Sequence, residues 1–145
     1  MNFKLEALLK LNKSKEDLVM RELGRINSHL QDQKQRSNFM LSIADERIDA
    51  RNGRLQEGMD IGTLALYDNF FQGVKIQNAK QNEVISEVQT RLENARTKLV
   101  EAMRKRKTLE ILKDKELRAE KSRQTKRELK EMDEIAANSW RLHNN

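Results

Sequence analysis

From Leu5 onward the seam positions return at alternating steps of four and three: Leu5, Leu9, Asn12, Glu16, Val19, Leu23, Ile26, Leu30, Gln33 and Ser37. Six of these ten are apolar, enough to mark one narrow stripe along an α-helix, the seam of a coiled coil. A step of four from Ser37 to Leu41, where three is due, shifts the frame before it resumes through Ala44, Ile48, Arg51 and Leu55. Such a stutter unwinds a supercoil locally without ending the helix. A second seam runs through Ile85, Val88, Leu92, Ala95, Leu99, Ala102, Arg106 and Leu109, with Leu112 extending it. Beyond that the apolar positions thin to Leu117, Ala119, Leu129, Met132, Ile135 and Ala136. The C-terminal helix is thus expected to outlast its packing partner or to find another.

Between the seams lie four of the five glycines, Gly53, Gly58, Gly62 and Gly73, beside Tyr67, Phe70 and Phe71. Glycine costs about 1 kcal/mol in a helix interior, so the chain is expected to turn back here. The expected fold is all-α: an antiparallel two-helix coiled-coil hairpin with short helices or a loop in the middle. It forms one elongated domain over residues 1–145, with a long helix at 3–52, a bend at 53–65 and a second long helix at 66–139. Rods of about fifty residues would each span about 75 Å, with the termini meeting at the far end.

Composition agrees with a thin core. Charged residues make up 36% of the chain and aromatics 4%, too few large side chains to fill a compact globule of this length. Proline is absent, and the abundant Lys, Glu, Leu, Arg, Gln and Ala favour helix. Acid-before-base pairs at i,i+4, namely Glu87 with Arg91, Glu101 with Lys105 and Asp114 with Arg118, add a few tenths of a kcal/mol each. The positive charge is regional. Fourteen Lys and Arg face six Asp and Glu between Arg96 and Lys130, a balance of +8 that leaves −2 for the rest of a chain whose net charge is +6.

Candidate chemistry is sparse. Cysteine is absent and His29 and His143 are the sole histidines, which argues against thiol or histidine catalysis and against a Cys/His metal site. The "GRLQEG" run at 53–58 continues with Met59, so it lacks the Lys-Ser/Thr of a phosphate-binding loop. No enzyme activity, cofactor or metal is expected. The start MNFKLEALLKLNK has charges among its leucines, unlike a secretory signal, and no run approaches the ~20 apolar residues of a membrane span, so a cytoplasmic location is expected.

The basic stretch admits several readings. A leucine-zipper DNA arm places its basic region before the seam, whereas here the seam comes first, and Glu110, Asp114, Glu116 and Glu120 would oppose phosphates. Aromatics for stacking on single strands are missing from it. A membrane-surface helix needs a strongly apolar face, and the face at 109–130 is sparse. A solvated helix with interleaved charges is the plain alternative. In the middle of the chain, Tyr67, Phe70 and Val74 form one helical stripe continued by Gln77 and Gln81. The stripe either fills the bend or, where exposed, offers a docking patch. Trp140 is expected to cover the tail of the first helix near Phe3.

Three stretches together resemble a known family: "FKLEALLKLNK" at the start, "AMRKRKTLEILKDK" at 102–115 and "KRELKEMDEIA" at 126–136. Over essentially its whole length the chain is similar to the FliJ family of flagellar type III export proteins, with the injectisome stalk protein as a near relative. The resemblance implies an antiparallel coiled coil like the central stalk of rotary ATPases. It also implies three partners: the hexameric export ATPase at its pore, the export-gate membrane protein through its cytoplasmic domain, and export chaperones that are escorted or recycled. Neither nucleic acid binding nor direct membrane insertion is implied, and the location becomes the cytoplasmic face of the inner membrane. Carried over by position, the gate contact maps onto Tyr67, Phe70, Val74, Gln77 and Gln81, with Met40 and Ile43 from the first helix. The ring contact is assigned to Arg104, Lys105, Arg106, Lys107, Lys113 and Lys115, whose charge would steer the rod into the ring. Alternatives from other classes are a nucleic-acid-associated basic coiled coil and a structural coiled-coil oligomer. The polar seam residues Asn12, Glu16 and Gln33 suit an intramolecular hairpin or a dimer equally.

Overall fold

The computed structural model describes residues 3–144. Two α-helices account for nearly all of them, α1 (Glu6–Glu57) and α2 (Ile61–Asn144), packed against each other as a helical hairpin. The turn is Gly58, Met59 and Asp60. Gly58 has φ 97°, a left-handed conformation that closes α1 and that a residue with a Cβ adopts only under strain. Asp60 caps α2: its carboxylate accepts a hydrogen bond from the Thr63 hydroxyl, and its carbonyl accepts one from the Leu64 amide at 3.1 Å. The bend expected over 53–65 therefore contracts to three residues, with no short helices in it. Gly53, Gly62 and Gly73 all lie inside helices, where one glycine weakens a long helix without ending it.

The hairpin divides into two compact units. The first contains the turn and comprises Leu18–Leu99. Its core is Ile26, Leu30, Val88, Leu92 and Ala95, with Leu23 and Ile85 packed against it. Burying a leucine such as Leu30 or Leu92 contributes about 1.5–3 kcal/mol. A polar layer interrupts the apolar ones, where the Gln81 side-chain amide donates to the side-chain oxygen of Gln33 and, at 3.3 Å, to its main-chain carbonyl. Nearer the turn the layers become aromatic. Phe71 stacks with Tyr67 at 6.4 Å, meets Phe70 edge-on at 5.6 Å and lies 5.1 Å beneath the Arg51 guanidinium. On α1 the seam runs Ser37, Met40, Ala44, Ile48 and Arg51, with Ile43 half-buried beside it, so the extra four-residue step falls between Ala44 and Ile48. Leu41 and Leu55, placed in the seam by sequence, are 42% and 46% exposed. Met40 takes the layer instead, because it alone keeps the step of three from Ser37.

The second unit joins the chain up to Asp17 to the chain from Val100 onward. Leu9 and Leu109 are buried there, but so are Asn12 and Glu16. Asn12 satisfies its amide on the Leu8 carbonyl at 2.8 Å. Glu16 accepts from Arg106 Nε, while Arg106 donates a second bond to Glu110 at 2.8 Å and Lys13 approaches Glu110 at 3.9 Å. Lys113 pairs with Glu6 at 2.9 Å. Two leucines placed in the seam by sequence lie at its margin here, beside residues paired across the helices. Leu112 and Leu5 are 42% and 38% exposed, next to Lys113 and Glu6 with side chains 36% and 37% exposed. From residue 117 to 144 α2 runs on with every residue exposed except the half-buried Glu120. Trp140 is 68% exposed rather than resting near Phe3, since it stands roughly 27 residues, about 40 Å of helix, beyond the last pair with α1. The start of α1 and the end of α2 consequently do not meet.

Candidate partner-binding surfaces

The aromatic stripe turns out to be two kinds of position. Half-buried residues on α2 follow an unbroken three-four rhythm through Leu64, Tyr67, Phe71, Val74, Asn78, Gln81 and Ile85. Tyr67, Val74 and Gln81 thus belong to the seam and hold the hairpin together, whereas Phe70 and Gln77 flank it and are exposed. Phe71 and Asn78 are the seam members that the sequence stripe missed. The signal was available in Arg51, a seam residue of α1 long enough to lie over a ring. Met40, Ile43, Phe70, Val74 and Gln77 come together in one groove between the helices, with Phe39, Asn69 and Gly73 completing it. Gln81 lies outside this groove, tied to Gln33. A second depression nearer the turn is lined by Arg47, Arg54, Thr63, Leu66, Tyr67 and Phe70. Phe39 at 68% and Leu66 at 69% exposure give this side of the hairpin an uncovered apolar character.

The six basic candidates also separate. Arg106 and Lys113 face α1 and are spent on Glu16, Glu110 and Glu6. The two carboxylates that Arg106 engages raise its pKa further, and the hydrogen bond from Lys113 lowers that of Glu6. Arg104, Lys105, Lys107 and Lys115 are exposed and enter no ion pair among the described residues. At 100° per residue Arg104, Lys107 and Lys115 fall on the side of α2 opposite Arg106 and Lys113, with exposed Ile111 among them. Arg104 and Lys105 border a further groove with Lys15, Leu8, Asn12, Thr108 and Leu109. Of the acid-before-base pairs expected from sequence, Asp114–Arg118 closes at 3.1 Å.

Among the described residues no cluster of His, Asp or Glu is arranged to hold a metal, and no helix is long and apolar enough to cross a membrane. One unit carries an apolar groove and the other an exposed cationic face. No curated protein and no solved structure matches the chain significantly. The family described as flagellar FliJ protein matches residues 1–145, the whole length. The chain therefore belongs to the FliJ family, whose members are non-enzymatic components of flagellar type III protein export.

Proposed function

We propose that this protein is a stalk-like adaptor of the export apparatus, binding the hexameric export ATPase through α2, the export gate through the groove beside Phe70, and export chaperones that it escorts or recycles at the cytoplasmic face of the inner membrane. The observation that supports the ring contact is the division of labour among the basic residues. Arg106 and Lys113 hold the two helices in register, which leaves Arg104, Lys105, Lys107 and Lys115 presented on a braced surface. Unpaired cations on a fixed scaffold speed association with an acidic surface and lose that advantage as salt screens them. The adaptor does no chemistry; it acts by favouring ring assembly and linking the ring to the gate.

Titration into the cognate export ATPase tests this at low and moderate salt. Stimulated ATP hydrolysis is the expected result, weakened by added salt and by Lys107→Glu with Lys115→Glu. Those two positions are chosen because neither holds α1, so the variant keeps its fold. Absence of both binding and stimulation at every salt concentration would remove the ring contact from the reading.

A further inference from the structure

The apolar groove and the arginine-lined depression share Phe70, so they meet along one side of the hairpin. Their residues run in step along the antiparallel helices: Phe39, Met40, Ile43, Arg47 and Arg54 on α1, against Gln77, Val74, Phe70, Leu66 and Thr63 on α2. The side is therefore polarised, apolar at the Phe39 end and cationic toward the turn. Arg47 and Arg54 are the charged side chains lining it, and neither enters an ion pair among the described residues. Arg54 also lies near enough to Asp60 to contribute slightly to lowering its pKa, behind the bonds from Thr63. Seven residues separate the two arginines, two turns or about 10 Å, the spacing of carboxylates at i and i+7 on a facing helix.

We infer that this side binds an amphipathic helical segment whose apolar stripe enters the groove at Ile43, Phe70 and Val74 and whose following two turns carry carboxylates that pair with Arg47 and Arg54. The inference rests on the reading of this face as the gate contact for the identity of the partner, and adds the chemistry the gate segment must present. Apolar contact supplies affinity, and the arginine pair sets the orientation of the helix in the groove. Gly73 keeps the groove open. A Cβ there meets nothing within 4 Å, so a larger side chain would fill the groove without disturbing the protein itself.

The test uses the full-length protein and two analytes, the recombinant cytoplasmic region of the export gate and a synthetic helical peptide. The peptide carries three leucines on one stripe and two glutamates seven residues apart beyond them, made with the acidic end at either terminus, and a lysine-for-glutamate peptide is the control. Both analytes are expected to bind, the lysine peptide at least tenfold more weakly. Arg47→Glu with Arg54→Glu, and separately Gly73→Met, should each weaken binding of both analytes at least tenfold while the thermal midpoint of the Gly73→Met protein is not lowered. Equal binding of the glutamate and lysine peptides, or gate binding unchanged by the arginine reversals, overturns the inference and leaves the gate reading standing. Charge-selective peptide binding without gate binding does the reverse.

Discussion

Arg106 shows how a charged residue can occupy a seam position. Its side chain is 24% exposed and that of Glu16 only 11%, so their pair sits largely out of water between the helices, with Glu110 as a second acceptor. Removing one member of such a pair leaves the other charge without its partner, which costs more than the intact pair contributes. Arg106→Met alone should therefore lower the thermal unfolding midpoint. Combining it with Glu16→Leu should recover the loss, since an apolar layer continues naturally from Leu109. Circular dichroism melts of the two variants decide the matter, and a single variant that melts like the parent would show that the pair does not clamp the helices. The same residue scale explains why Gln33 faces Gln81. The Gln81 amide nitrogen donates to Gln33, and a shift of one heptad would break the match.

At the scale of elements, the turn and the glycines give opposite expectations for one substitution. Gly58→Ala forces a Cβ into the left-handed region and should destabilise by about 1–2 kcal/mol. Gly24→Ala, in the exposed interior of α1 where a Cβ meets nothing within 4 Å, should stabilise by about 1 kcal/mol. Chemical denaturation of both variants checks the pair of signs. Helix type and both seams were legible in the sequence because period-3.5 patterning is strong over many turns. The position of the turn was less so, since a window of glycines does not reveal which one needs positive φ. Around Tyr67 the phase was ambiguous. A stripe through Phe70 and one through Phe71 keep equally good spacing, and only the opposing α1 residue Arg51 settles which ring faces inward. The basic candidates were legible as a group, but not their division into clamps and free cations, because that depends on which side of α2 meets α1. Nor could a favourable helical composition indicate how far α2 runs past its partner.

For the molecule as a whole, acid is the informative perturbation. Glu6 is held below the usual carboxylate range by the hydrogen bond from Lys113, Glu120 by that from Arg123, and Asp60 by that from Thr63. Depressed carboxyls contribute stability that is present above their unfolded values, about 4 for Asp and Glu, and that is lost as pH falls through the lower folded values. The melting midpoint is expected to owe no pH dependence to these groups between pH 5 and 8 and to fall below about pH 4. Glu6→Gln should blunt part of that fall, and a wild-type midpoint unchanged to pH 3 would contradict the linkage.

The ion pair of Glu16 with Arg106 joins residues ninety positions apart. Synthesis runs at about 5–20 residues per second, so Glu16 is added to the chain about 5–20 s before its partner exists. Through that interval the start of α1 has only its own helix to satisfy it. Placing carboxylate, amide and lysine among its few leucines keeps a nascent strip of chain soluble that, with a fully apolar seam, would be free to find the wrong neighbour on a crowded polysome.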